Sequence, residues 1–151
     1  MGTRATVEAS VTVQASAERA FAEVVDAEGQ GRWMFGTTIY PVQGAVLSPA
    51  VGSRLVAFTG VAGLGVLDIM EVTEHEDGRR WVMAHHGNVI KGSGIFTVEP
   101  LTAGTSVVRW IEDLELPFGI LGRVGWPIVK PAVRWGLRHS LKSLAAMLKA
   151  T

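Results

Sequence analysis

Three ionisable side chains, Asp68, His85 and Glu112, stand among apolar residues in segments whose polarity alternates with a period of two. Alternate residues of a β-strand point to opposite faces, so a polar residue in register with apolar ones is expected inside the protein. A buried carboxylate must find a partner, or its pKa is expected to rise. A histidine and a carboxylate in an apolar cleft are suited to general acid–base catalysis. The same groups can instead be structural or anchor a bound ligand.

The inward faces are chosen by bulk. Around His85 and Glu112 the bulkier and more apolar face is taken as inward, whereas near Asp68 two faces compete and we favour the one with Met70. If Glu112 has no catalytic role, we expect it to pair with Arg54 or to lie at the mouth of a cavity. The predicted inward faces are Trp81, Met83 and His85; Val108, Trp110, Glu112, Leu114 and Leu116; and Val66, Asp68, Met70 and Val72.

Other motifs that could do chemistry are weak. His85 and His86 are adjacent and would point to opposite faces of a strand, and no HxH or HExxH pattern exists, so we expect neither a metal nor a cofactor. The sequence GVAGLG at 60–65 lacks the spacing of a phosphate-binding loop and is interpreted as a hairpin turn. Its apolar tip, Val61, Ala62 and Leu64, could also form a lip over a cavity or touch a membrane.

Composition limits the classes of protein. The chain of 151 residues is expected to form one domain, 1–151, and it is 48% hydrophobic and only 19% charged. This apolar excess suggests a cavity for an apolar ligand or a dimer interface. The sequence has no cysteine, no apolar signal-like start and no apolar run of roughly 18 residues, the length that crosses a membrane. We therefore expect a cytoplasmic protein without an integral membrane segment.

Strands and helices follow from the periodicity. A strand at 6–13 is followed by a helix capped by Ser16 and by a very short or broken second helix before an apolar plug at Trp33, Met34 and Phe35. The period of two then continues for about 80 residues with short turns, of which Asp77-Gly78 is the strongest, so the strands are expected to be antiparallel. The predicted strands are 37–46, 53–59, 65–76, 80–86, 93–100 and 106–116.

The last segment predicts the longest helix, at 131–150, after a Gly/Pro-rich bridge at 117–127. Val133, Leu137, Ser140, Leu144 and Met147/Leu148 form one stripe at helical spacing. From residue 116 onward there are six Lys/Arg and no Asp or Glu, although the whole chain is neutral. The basic stripe is either the solvated face of a core-packed helix or a face that meets an anionic ligand or surface. It carries no interleaved aromatic platform, so nucleic-acid binding is not expected.

This order of elements resembles the START-like helix-grip superfamily, specifically its polyketide cyclase/dehydrase and lipid-transport group. The resemblance rests on VTVQASAERAFAEVVDAEGQGRW (11–33), EVTEHEDGRRWVMAHH (71–86) and SLKSLAAMLKA (140–150). It implies an α+β fold in which a curved antiparallel sheet of about seven strands wraps around a long C-terminal helix, with two short helices after the first strand. Members typically hold an apolar molecule between the sheet and that helix, and some catalyse cyclisation or hydration. No catalytic motif of the family can be matched residue by residue.

The sequence therefore predicts a domain that binds or carries a hydrophobic small molecule, such as a lipid, a fatty acid or a polyketide-like aromatic. One alternative is a metal-free enzyme of the cyclase/dehydratase type that uses His85, Glu112 and Asp68. Another is a protein-interaction module or homodimer that uses the apolar bridge at 116–127. Transient membrane contact is also considered, and the chain is expected to be a monomer or a homodimer. The predicted ligand-lining residues are Phe58, Met70, Trp81, Met83, His85, Trp110, Glu112, Phe118, Trp126, Leu137 and Leu141.

Overall fold

The computed structural model describes residues 4–41, 50–87, 89–116 and 118–150. Its strands are β1 (Arg4–Val13), β2 (Thr37–Pro41), β3 (Arg54–Val61), β4 (Leu64–Glu76), β5 (Arg80–His86), β6 (Lys91–Thr102) and β7 (Thr105–Glu115). Its α-helices are α1 (Ala17–Val24) and α2 (Ile120–Ala150), and a 3-10 turn spans Gly29–Arg32. The predicted second half of the strand at 37–46, the turn residues Ser48 and Pro49, Asn88 and the side chain of Val61 lie outside the described part of the chain.

All seven strands form one antiparallel sheet in the order β1-β7-β6-β5-β4-β3-β2. The links from β3 through β7 are short, and short links join antiparallel neighbours. The first strand returns to pair with the last, Arg4 opposite Glu115 and Val13 opposite Ser106. The curled sheet with a long C-terminal helix is the helix-grip architecture, so the predicted fold class is confirmed.

The first connection after β1 folds as its sequence predicts. The Ser16 hydroxyl accepts a hydrogen bond from the Arg19 amide and caps α1. The buried face of α1 is Ala20, Phe21 and Val24. The predicted short second helix is the 3-10 turn, which leads to the buried Trp33 and Met34. Both side chains belong to the hydrophobic core.

The C-terminal half of α2 carries the main helical contribution to the core. Leu137, Leu141, Leu144 and Leu148 are buried, and the helix packs against β1. Ser140 lies on the same buried face. Its hydroxyl accepts a hydrogen bond from the Phe35 amide at 2.8 Å and donates one to a carbonyl of its own helix. A polar residue in the predicted apolar stripe is thus satisfied internally.

The start of α2 corrects the prediction. The helix begins at Ile120 and includes the segment that was expected to be an irregular bridge, with Pro127 and Pro131 inside it. Interior prolines remove hydrogen bonds and disfavour a helix. In this chain Trp126 and Val133, which flank the prolines, pack against the core and supply a compensating apolar contact. None of the described helices combines the length and hydropathy needed to cross a bilayer.

Candidate functional site

The three ionisable residues meet in one buried hydrogen-bonded group, which together with Trp110 we call the polar cluster. His85 lies between two carboxylates, with Nδ1 2.6 Å from Asp68 Oδ2 and Nε2 2.9 Å from Glu112 Oε2. Trp110 Nε1 donates to the other oxygen of Glu112 at 2.7 Å. The side chains of His85, Asp68 and Glu112 are only 6, 8 and 12% exposed. The predicted interior placement of all three is confirmed by the structure.

A glycine on the intervening strand allows this contact. His85 is on β5 and Glu112 is on β7, so β6 lies between them in the sheet. Gly94 of β6 pairs with Glu112 and is buried. A Cβ built on Gly94 would lie 3.2 Å from Glu112 Oε1 and 3.3 Å from His85 Nε2, closer than most real contacts. The absence of a side chain therefore leaves room for two residues to bond across a strand.

The carboxylates keep His85 protonated. Burial by itself lowers the pKa of His85, but the hydrogen bonds and negative charges of Asp68 and Glu112 outweigh this effect and raise the pKa from 6.5 to about 10. At neutral pH the ring is therefore an imidazolium, with both nitrogens donating. With two carboxylates and one imidazolium, the group carries one net negative charge inside an apolar layer.

An aromatic row supports the cluster from the side. Trp81, Phe96 and Trp110 lie directly opposite one another on β5, β6 and β7. The Phe96 and Trp110 ring centroids are 4.9 Å apart, and Trp33 meets both rings edge-on. Aromatic contacts of this geometry add to the energy of apolar burial. Trp110 is thereby held in place while its indole nitrogen reaches Glu112.

The cluster lies at one end of the sheet, which we call the cluster end. Asp68 is near the start of β4, whereas His85 and Glu112 are near the ends of β5 and β7, and antiparallel strands bring these positions together. The β3–β4 turn and the chain from β7 into α2 lie at the same end. The opposite end of α2 is tied to α1, because Arg19 Nη2 donates to the Leu148 carbonyl at 2.9 Å. The first half of α2 therefore belongs to the cluster end.

The predicted lining residues divide into two groups. Trp81 and Leu141 have no accessible surface, so they touch no space large enough for a water molecule and belong to the solid core. The other predicted residues on the inner side keep some solvent-accessible surface. This surface is slight for most of them and larger for Trp110 and Trp126. These residues are Met70, Met83, His85, Trp110, Glu112, Trp126 and Leu137.

Three expectations require correction. Phe58 alternates with the buried Leu55 and Ala57 and pairs with an outward residue of β4, so it lies on the outer face of the sheet. Phe118, predicted to line the ligand site, is 74% exposed in the turn before α2 and does not face the interior. Arg54 bonds to Glu71 at 3.2 Å instead of Glu112, because it too faces outward.

A hollow of about 960 Å³ lies elsewhere, between α1 and the ends of β4, β5 and β6. Its lining includes Phe21, Glu76 and Arg80 and shares no residue with the predicted ligand site. A ligand cavity between the sheet and α2 stays a prediction. Within the described ranges no group of three or more His, Cys, Asp or Glu is arranged to hold a metal ion.

The outer face of the first half of α2 is apolar and exposed. Ile120, Leu121, Val124 and Ile128 are between 68 and 80% exposed. Helical spacing places them opposite the face that packs on the core. Farther along this outer face the side chains become basic, beginning with Arg138. The sequence pattern does not predict this exposed apolar stripe, because the segment at 117–127 is expected to be an irregular bridge and not part of a helix.

The comparisons with known proteins agree with this architecture. No curated protein matches the sequence. A START superfamily protein from Mycobacterium smegmatis has a TM-score of 0.77 and 20% identity, covering 96% of this chain and 97% of its own. The protein TTHA0849 from Thermus thermophilus has a TM-score of 0.79 and 19% identity, covering 97% of this chain and 98% of its own. At these identities the likeness shows the fold alone.

A third similar structure is the ZhuI aromatase/cyclase from Streptomyces sp. R1128, with a TM-score of 0.78 and 15% identity over 97% of this chain and 94% of that one. The sequence itself matches a family model, described as polyketide cyclase/dehydrase and lipid transport, over residues 4–149. This match spans nearly the whole chain, and it includes every strand and the full polar cluster. The chain therefore belongs to the polyketide cyclase/dehydrase and lipid transport family.

Proposed function

We propose that this protein binds a hydrophobic small molecule at the cluster end, between the sheet and the first half of α2. The observation that carries the proposal is the polar cluster itself, a charged group held on an otherwise apolar inner face. Ligand sites commonly combine an apolar lining with a few fixed polar groups. Membership of a family described by lipid transport and by cyclase chemistry supports the same assignment.

Apolar burial would supply most of the affinity. Each Å² of apolar surface removed from water contributes roughly 25 cal/mol, and Met70, Met83 and Trp126 offer apolar surface on the inner side. His85 and Glu112 would orient the ligand, since their positions are fixed by three short hydrogen bonds. Such preorganisation reduces the entropy lost on binding.

Two measurements test the proposal. Native mass spectrometry of the purified protein is expected to show a co-purifying apolar molecule or to accept an added one such as naphthalene. Trp126→Ala should weaken naphthalene binding about tenfold, since a large buried apolar contact contributes about 1–3 kcal/mol. Trp135→Ala, on the exposed side of the same helix, is the matched control and should leave binding unchanged. Equal effects of the two substitutions would contradict this location.

The alternative function is an enzyme of the cyclase/dehydratase type using the same cluster. The raised pKa of His85 weighs against it, because a general base works best with a pKa near the operating pH and must be unprotonated. His85→Ala and Glu112→Gln separate the two functions with a polyketide-like substrate. If turnover disappears while the substrate still binds, the enzyme is favoured; if binding falls and no turnover is found in the native protein, the binding function stands.

We further propose that the outer face of α2 contacts an anionic lipid surface. Its apolar residues would insert at the interface, while Arg138 and Lys142 would meet the headgroups. A symmetric pair of copies would instead bring like charges together, because no acidic residue occurs from position 116 onward. The homodimer is therefore the less favoured use of this face.

Vesicle sedimentation tests the surface contact. Binding is expected with phosphatidylcholine mixed equally with phosphatidylglycerol and not with phosphatidylcholine alone. Leu121→Ser combined with Ile128→Ser should abolish it, whereas Leu67→Ser, an exposed residue on β4, should not. Light scattering of the protein in solution distinguishes the dimer: a mass twice that of the chain, reduced by the same double substitution, would overturn the lipid assignment.

A further inference from the structure

The polar cluster has used all of its hydrogen-bond donors. Both ring nitrogens of His85 face carboxylate oxygens, and the indole N–H of Trp110 is bound to Glu112. These three N–H groups are the only side-chain donors that the four residues contain when both carboxylates are ionised. A newly arriving molecule therefore finds no free side-chain donor in this group.

Acceptors, by contrast, remain. Asp68 Oδ1 is buried and has no hydrogen-bond partner among the residues that the structure describes. Each oxygen of Glu112 accepts one hydrogen bond here, although a carboxylate oxygen can accept two. Gly87 flanks Oδ1 without a side chain, and even a Cβ built there would lie 3.8 Å away. A buried acceptor without a partner costs free energy, which a suitable donor would recover.

We propose that the ligand presents a hydrogen-bond donor, a hydroxyl or an amine, to the carboxylates of Asp68 and Glu112, and that the site rejects carboxylates. This inference rests on the proposed binding function and names the class of its ligand. Of the molecules expected from the sequence, it selects alcohols and phenolic aromatics over fatty acids.

Charge leads to the same selection. Two carboxylates and one imidazolium leave the cluster with one net negative charge, and its side chains are nearly inaccessible to water. An anionic headgroup placed there would meet like charge in a poorly screened environment. A hydroxyl introduces no charge, and an ammonium would be attracted. The donor requirement and the charge thus act together against a carboxylate.

A series of matched ligands tests this inference on the unaltered protein. Isothermal titration calorimetry would compare naphthalene, 2-naphthol, 2-naphthylmethylamine and 2-naphthoate, which share one apolar body. A hydrogen bond to a charged group contributes about 1.5–3 kcal/mol, so at least one donor ligand should bind about tenfold or more tightly than naphthalene. Naphthoate should bind more weakly than naphthalene. The comparison of naphthol with the amine shows which donor the site prefers.

The outcomes separate this inference from the function on which it rests. Naphthoate binding as tightly as either donor ligand, or donor ligands binding no better than naphthalene, would overturn the donor assignment while leaving the hydrophobic site intact. Binding of none of the four compounds would overturn the inference, and the additional absence of a co-purifying apolar molecule in native mass spectrometry would remove the proposed function as well.

Substitutions then locate the effect. Asp68→Asn keeps the shape of the side chain, removes its charge and adds an amide donor. It should reduce both the advantage of the donor ligand and the disadvantage of naphthoate by severalfold. Asp113→Asn is the control. Asp113 follows Glu112 in the sequence but pairs with Arg4 at the surface, so removing its charge should change neither ratio. Identical ratios in the Asp68→Asn variant and the native protein would contradict a role for Asp68.

Discussion

Raising the pH is predicted to destabilise the fold by removing the proton that His85 holds between two carboxylates. The pKa of His85 is raised from 6.5 to about 10 by its partners, so the folded chain binds this proton more tightly than the unfolded chain. The resulting stability is fully present below pH 6.5 and is lost as the pH rises through about 10. At about 1.4 kcal/mol per pH unit, the loss across this window is on the order of 5 kcal/mol.

A loss of that size is comparable with the whole stability of a small domain, about 5–15 kcal/mol, so it is easily measured. Urea unfolding followed by circular dichroism would be recorded across the window for the native protein and for His85→Gln. The difference between the two curves isolates the histidine from other titrating groups. His86→Gln, the next residue on the strand and exposed on the other face, is the matched control and should follow the native curve.

Nuclear magnetic resonance provides a second and independent readout. Both ring nitrogens of His85 should carry protons at neutral pH, and the ring should not titrate near 6.5. A His85 ring that deprotonates near its ordinary pKa, together with a flat difference curve, would refute the assignment of an imidazolium held between two carboxylates.

Three further substitutions test the packing around the site. Gly94→Ala places a methyl group 3.2 and 3.3 Å from polar atoms of the cluster, so it should cost about 1–3 kcal/mol of stability by urea unfolding and lower the histidine pKa. Leu144→Ala empties a fully buried position and should cost about 2–5 kcal/mol, whereas Leu121→Ala, on the exposed side of α2, should change stability by less than about 0.5 kcal/mol. Ser140→Ala leaves a loop amide without its acceptor and should cost about 1–3 kcal/mol, whereas Ser143→Ala, whose exposed hydroxyl donates to a carbonyl of its own helix, should be nearly neutral in thermal unfolding. A Leu144 or Ser140 effect no larger than its control would contradict the packing described.

Much of the site could be predicted because strand parity is a local property. Asp68, His85 and Glu112 each stand among bulky apolar residues at a spacing of two, and that pattern alone places them on the inner face. Whether they touch depends on strand order and register, which arise from distant pairings such as Gly94 with Glu112. A glycine inside a predicted strand, such as Gly94, is the local signal that indicates such a close approach.

Other features depended on contacts that no local pattern contains. The expected start of the last helix was wrong because Pro127 favours an irregular bridge when only local sequence is considered. In the structure the helix continues through Pro127, and the neighbouring Trp126 packs on the core. Phe58 was placed inside on its aromatic character alone, without the parity of β3, and the register places it outside. In both cases the type of a residue does not determine its position, because its neighbours in space do.

The hydrogen bond from Trp110 to Glu112 also gives the molecule an optical reporter of its own site. The emission of an indole responds to charge near the ring. The Trp110 ring donates a hydrogen bond to Glu112, the carboxylate that also contacts the His85 imidazolium. Trp33 and Trp81 are enclosed in the core and should contribute a constant background. Loss of the histidine proton, or arrival of a guest at Glu112, should therefore be visible as a change in the wavelength or intensity of intrinsic fluorescence, without any attached label.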